Sequence, residues 1–138
     1  MYPETLVAPM RVDLTSAGFK ELKTPFQVDE VLNKNEGTTL VVVNSVCGCA
    51  AGMARPAVKF AIENSEKRPT NLTTVFAGVD TEATMHARKF MLPFPPSSPS
   101  VALFKDGKLV HFIERHQIEG KSAEMVAENL MAAFEEFC

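Results

Sequence analysis

A run of four apolar residues that stops at two cysteines constrains this chain more than any other stretch: Leu40-Val41-Val42-Val43-Asn44-Ser45-Val46-Cys47-Gly48-Cys49-Ala50-Ala51-Gly52. Continuous rather than alternating apolar residues at Leu40–Val43 imply a strand covered on both faces. From Ala50 the spacing becomes helical, with Met53, Ala54, Val58, Ala61 and Ile62 recurring every three or four residues. Cys47 therefore falls near a helix N-terminus, where unpaired amides and the helix dipole favour an anion. A thiolate is the anion this sequence offers, and such a position lowers a cysteine pKa from about 8.5 into roughly the 3.5–7.5 range.

The rest of the chain supplies elements to cover that strand. Residues 1–24 read as an irregular N-terminal extension, because Pro3 and Pro9 oppose a regular element, with a short edge strand at most over Phe19–Lys23. Thr24-Pro25-Phe26-Gln27 is a helix start, with a Thr cap, a proline at the first helical position and Gln27 as in a capping box. Gly37 is placed to stop that helix. Pro56 lacks an amide hydrogen and should kink or restart the helix that follows the cysteines. Leu72–Val79 reads as a second strand, and Asp80 or Thr81 as the cap of a helix reaching Met91. Asp106-Gly107 between strands at 101–105 and 108–114 is a hairpin signal. Ser122 caps a last helix that turns Val126, Leu130, Ala133, Phe134 and Phe137 to the core.

A helix, a βαβ unit, a Pro-rich turn, a hairpin and a final helix make up an α/β, thioredoxin-like layout. It predicts a central mixed β-sheet (the βαβ unit plus the β-hairpin) flanked by helices on both faces, with residues 1–138 as a single domain. The cysteines lie at its first strand-to-helix turn. In this layout Pro99, expected to be cis, lies beside them and leaves a backbone edge free to hold a peptide. Gly48, Ser98 and Pro99 are thus the candidate substrate-contacting positions, and Cys47 and Cys49 the candidate catalytic pair.

Cys47 is the expected nucleophile and Cys49 the resolving thiol. Closing a disulfide across one residue requires a tight turn, which Gly48 permits. The resulting strain should raise the potential above the roughly −270 mV of thioredoxin. Two other readings stay open from the residues alone. The cysteines could be buried small side chains, or Cys47, Cys49 and Cys138 could bind zinc with one of His86, His111 or His116, although structural zinc sites space their paired cysteines more widely. Gly120-Lys121-Ser122 ends like a phosphate loop, but Arg115 occupies the position of its first glycine, so the motif fails.

Composition narrows the function classes. With 46 % hydrophobic and 22 % charged residues the chain matches a globular protein, and no apolar run approaches the ~20 residues of a membrane helix. A net charge of −3 without a basic stripe argues against nucleic acid as a partner. The N-terminus has no basic segment followed by an apolar one, so a cytoplasmic, reducing location is expected. There, three cysteines read as catalytic or metal-binding sooner than structural.

Three blocks together resemble the bacilliredoxin family: Cys47-Gly48-Cys49-Ala50-Ala51-Gly52; Pro96-Ser97-Ser98-Pro99-Ser100 followed by Val101-Ala102-Leu103-Phe104; and His116-Gln117-Ile118-Glu119-Gly120. Met10-Arg11, Leu14-Thr15 and Gly18-Phe19 extend the likeness over nearly the whole chain. The resemblance implies a thioredoxin-like fold and thiol–disulfide exchange that strips bacillithiol, a low-molecular-weight thiol serving as co-substrate, from S-thiolated cytosolic client proteins. No metal or other cofactor is implied. In that scheme Cys47 matches the attacking cysteine, Cys49 the second motif cysteine and Pro99 the turn proline. Members have also been regarded as disulfide isomerases. A non-catalytic metal-binding or interaction module on the same scaffold is the reading from another class. Thioredoxins carry an acid on the central strand below their cysteines, and Leu40–Val43 has none, so the chemistry should start from a preformed thiolate.

Overall fold

In the computed structural model, which describes residues 2–34 and 36–138, the expected strand is β2 (Thr38–Asn44), and every one of its residues is buried. Around it lies a five-stranded sheet in the order β1-β3-β2-β4-β5, formed with β1 (Lys20–Glu21), β3 (Asn71–Phe76), β4 (Ser100–Lys105) and β5 (Lys108–Ile113). β3 runs parallel to both β1 and β2, whereas β4 is antiparallel to β2 and to β5. The sheet is therefore mixed, as the βαβ-plus-hairpin reading requires.

Alternation along β2 divides the interior into two cores. Leu40 and Val42 pack with α3 (Arg55–Asn64) and α6 (Ala123–Phe137) through Val58, Ile62, Val126, Leu130 and Phe134. Val41 and Val43 pack on the other face with α2 (Pro25–Leu32) and α4 (Thr81–Lys89) through Val28, Leu32, Ala83 and Ala87. A strand between two helical layers has no polar face, which is why its apolar run is unbroken. The buried hydroxyls of Thr73 and Thr74 on β3 donate to the carbonyls of Leu40 and Val42 at 2.8 and 2.7 Å.

Local signals explain the element ends. Thr24 Oγ1 accepts the Gln27 N–H at 3.2 Å, with Pro25 opening α2. Ser122 Oγ accepts the Met125 N–H at 3.1 Å. Asp106 and Gly107 both have positive φ, 51° and 81°, the backbone a two-residue hairpin turn needs. Pro56 restarts the helix after the cysteines: Ala50–Ala54 form a π-helical turn, and α3 begins at Arg55 with Pro56 in its first turn.

Two expectations are corrected. The N-terminal extension is not irregular: α1 (Glu4–Thr15) is a helix with Pro9 inside it, burying Val7, Arg11 and Leu14. Tertiary contacts outweigh the proline, because Arg11 bonds Glu4 at 2.9 Å, Glu21 at 3.3 Å and Asp80 at 2.7 Å, tying α1 to β1 and the start of α4. The edge strand is present but short, at Lys20–Glu21. Gly37 does not stop α2, which ends at Leu32. Instead Gly37 donates its N–H to Asp106 Oδ1 at 3.0 Å and accepts the Asp106 N–H at 2.9 Å, joining the entry to β2 to the hairpin turn.

Among the described residues no helix is long and apolar enough to cross a membrane.

Candidate active site

β2 delivers Ser45, Val46 and Cys47 at its C-terminal end, and the chain turns into a helix at Gly48. The Cys47 carbonyl accepts the Ala50 N–H at 3.0 Å and the Ala51 N–H at 3.3 Å, so Cys47 stands where an N-cap residue stands. Its sulfur takes the part of a capping oxygen. Burial works against the charged thiolate, but hydrogen bonds from the Ser45 hydroxyl, the backbone amides of Ala50 and Cys49, and the Cys49 thiol outweigh it and hold the Cys47 thiol below the ordinary cysteine range. Cys49 moves the opposite way: burial, then the Cys47 charge and the bond it donates to Cys47, push its thiol up. The two sulfurs therefore divide into one whose thiolate is stabilised and a neighbour whose proton is held.

Gly48 is exposed, and its backbone is not in the positive-φ region. A Cβ built there meets nothing within 4 Å. The turn between the cysteines is the first turn of a helix, so in this dithiol state it makes no demand that only glycine meets.

The Ser98–Pro99 peptide bond is cis, as is Leu92–Pro93. Ser98 and Cys47 line one cavity of about 300 Å³, together with Tyr2, Gly78, Arg88 and Arg115. Pro99 is buried behind it. The loop differs from expectation in one respect, because its backbone edge is not wholly free. Arg115 Nη1 donates to the Ser98 carbonyl at 3.1 Å, and Arg88 Nη2 to the Ser97 carbonyl at 3.3 Å. Gly78, at φ +80°, lies so close to the Tyr2 ring that a Cβ would come within 3.3 Å of Tyr2 Cε2.

Behind the cysteines the buried charge is a cation. Arg55, 5 % exposed, donates from Nη1 to Asn44 Oδ1 at 2.9 Å and to the Ser45 carbonyl at 3.1 Å. Its Nε bonds Asp13 at 3.0 Å. Asn44 Oδ1 in turn accepts the Ser45 N–H at 2.9 Å. Asp13, Arg55, Asn44 and Ser45 thus form a continuous polar chain from α1 to the residue beside the Cys47 sulfur.

The remaining candidates lie elsewhere. Cys138 interacts with Thr38 and Lys105, at the N-terminal end of β2, so the length of that strand, roughly 20 Å, separates it from Cys47. Burial raises the Cys138 thiol. His86 bonds Asp29 at 2.6 Å, His111 bonds Asn129 at 2.6 Å, and His116 is exposed. No group of three potential metal ligands forms among the described residues, and the zinc set of Cys47, Cys49, Cys138 and a histidine is not assembled.

The sequence reading missed Ser45, Arg55, Arg88 and Tyr2 as members of this site, and noted Arg115 only as a break in a motif. Ser45 had a readable signal, a hydroxyl residue two places before the nucleophile. Arg88 and Arg115 had none, since they arrive from elements far along the chain, and Arg55, though it opens the helix after the cysteines, finds its acid only on α1.

The family described as disulphide isomerase matches residues 2–138. A bacilliredoxin of Cytophaga hutchinsonii is 59 % identical over 99 % of this chain and 99 % of its own length. A bacilliredoxin of Geobacillus kaustophilus is 54 % identical over 99 % of this chain and 94 % of its own. Among solved structures, Fasciola hepatica thioredoxin superposes with a TM-score of 0.59 at 20 % identity, covering 87 % of this chain and 100 % of that one. Mitochondrial thioredoxin 3 of Saccharomyces cerevisiae gives 0.57 at 18 % identity, covering 90 % and 98 %.

Proposed function

The chain belongs to the bacilliredoxin family and is a thioredoxin-like thiol–disulfide oxidoreductase; from that premise we propose that it removes bacillithiol from S-thiolated client proteins. The observation that carries this reading is the stabilised Cys47 thiolate opening onto a cavity of small-molecule size, about 300 Å³. The Cys47 thiolate attacks the small-thiol sulfur of the client's mixed disulfide. A Cys47–S–S–R bond forms as the old S–S bond breaks, and the client cysteine leaves as a thiolate. Cys49 then attacks the Cys47 sulfur, forming the Cys47–Cys49 disulfide and expelling R–S−, or a free low-molecular-weight thiol attacks the sulfur of R, forming a small-molecule disulfide and releasing the Cys47 thiolate. No metal or bound cofactor takes part, bacillithiol being a co-substrate. On this reading the protein works in the cytoplasm, where protein disulfides are transient and its partners are S-thiolated proteins and the small thiol.

The family's description as disulphide isomerase supports a second reading, in which Cys47 attacks a protein–protein disulfide and rearranges it. Intact mass separates the two. Reduced wild type and Cys49→Ala are incubated with a bacillithiol-thiolated client. The de-thiolation reading expects the small thiol on Cys47, persisting in Cys49→Ala. No adduct in either protein, together with reshuffling of a scrambled substrate, would overturn it in favour of the isomerase.

A further inference from the structure

Half-buried Arg88 differs from the buried arginines Arg11 and Arg55 in having no counter-charge. Arg11 is paired with Glu4, Glu21 and Asp80, and Arg55 with Asp13. Arg88, on α4, donates only to the Ser97 carbonyl, at 3.3 Å. Its Nε is buried without a hydrogen-bond partner among the described residues. Burial alone acts on its charge and lowers its pKa from the ordinary arginine value. A half-buried guanidinium without an acid beside it is left with donors that an anion can complete. This one lines the cavity that opens on Cys47. Arg115 faces the same cavity from the start of α5 (Arg115–Ile118), already held by Glu119 at 2.9 Å.

We propose that this cavity is an anion subsite in which Arg88 binds a carboxylate of the small thiol, so that the enzyme selects thiols bearing carboxylates over neutral or cationic ones. The inference rests on the de-thiolation reading. A guanidinium fork suits a carboxylate better than an ammonium does, since it donates two parallel bonds. Tethering R beside Cys47 also presents the small-thiol sulfur, not the client sulfur, to the thiolate, and this decides which of two chemically similar atoms is attacked. The bond changes are those of the exchange already given: Cys47–S–S–R forms, the client thiolate departs, and the carboxylate stays on Arg88 throughout.

The test uses one client protein thiolated either with glutathione, which carries two carboxylates, or with cysteamine, which carries none. Transfer of each onto Cys47 is timed in wild type, Arg88→Gln and Arg88→Lys. Wild type should favour the glutathione adduct. Arg88→Gln should lose roughly 10- to 100-fold on it, chiefly through KM, and lose nothing on the cysteamine adduct. Arg88→Lys should recover part of the loss, because charge is restored without the fork. Should Arg88→Gln fold poorly, wild type alone decides: S-methylglutathione, which cannot exchange, should slow iodoacetamide alkylation of Cys47 in a saturable manner, and 2-(methylthio)ethylamine should not. Equal losses on both adducts, or no protection by S-methylglutathione, would overturn the subsite while leaving de-thiolation standing. Failure of wild type to accept either thiol would overturn both.

Discussion

Ser45 Oγ lies 3.3 Å from the backbone nitrogen of Cys47, accepting its N–H, and the same side chain lowers the Cys47 thiol pKa. One hydroxyl thus fixes the nucleophile's backbone and stabilises its charge. Ser45→Ala removes the side-chain donor while the amides of Ala50 and Cys49 remain. Alkylation of Cys47 by iodoacetamide, followed against pH, should inflect below the ordinary thiol value of about 8.5 in wild type and move upward in the variant. A hydrogen bond to a charged group is worth about 1.5–3 kcal/mol when fully buried. Cys47 is only partly buried, so the fall in rate at pH 7 should be tenfold or less. An unchanged inflection would remove Ser45 from the site.

Cys49 and Cys138 should separate cleanly. Cys49 donates to the Cys47 sulfur and is the neighbouring thiol, whereas Cys138 lies at the other end of β2. Cys49→Ala should raise the Cys47 inflection and prolong the mixed disulfide. Cys49→Ser, which keeps a donor, should restore the inflection but not the resolution. Cys138→Ala should alter neither. The readouts are the pH profile and the lifetime of the adduct by mass spectrometry, and a longer lifetime in Cys138→Ala would mean that resolution occurs between molecules.

What the sequence made legible was local. The apolar run of β2, the Thr24-Pro25 helix start, the Asp106-Gly107 turn and the Ser122 cap all state their structure within a few residues. The place of Cys47 at a strand end and helix start was legible for the same reason, since strand, turn and helix are contiguous around it. α1 was not, because Pro9 argues against a helix locally and the contacts that outweigh it run from Arg11 to Glu21 and Asp80. Arg88 and Arg115 reach the site through folding alone. Arg55 opens the helix that follows Cys47, but the acid that pairs it, Asp13, comes from α1.

That buried pair gives a stability prediction. Asp13→Asn strips the counter-charge from Arg55, which stays buried against Asn44 and Ser45. Removing one partner of a buried ion pair costs about 3–5 kcal/mol. Asp13 is itself 34 % exposed, so the lower end, about 3 kcal/mol, is expected in urea unfolding at pH 7. Burial raises the Asp13 pKa, but hydrogen bonds from Lys59 and Arg55 prevail and hold its carboxyl below the usual range. A carboxyl depressed in the folded state contributes stability above its unfolded pKa of about 3.9 and loses that contribution as pH falls through the folded value. The gap between wild type and Asp13→Asn should therefore be complete at pH 7 and narrow below about pH 4. A gap that stays constant into acid would mean that the charge of Asp13 is not what holds Arg55.

The potential of the Cys47–Cys49 couple joins these threads. In the dithiol state the Cys47 thiolate accepts bonds from Ser45, Ala50 and Cys49. A disulfide sulfur carries no charge for those donors to stabilise, so reduction gains what oxidation gives up. Stabilising the reduced form raises a potential, and spanning a single residue disfavours the oxidised form as well. The couple should therefore lie above the roughly −270 mV of thioredoxin when titrated against glutathione buffers. Ser45→Ala should lower it, by up to about 30 mV if the thiolate loses tenfold in stability. A wild-type potential at or below that of thioredoxin would make the protein a general reductant, and the stabilised thiolate would then be compensated by an unstrained disulfide across Gly48.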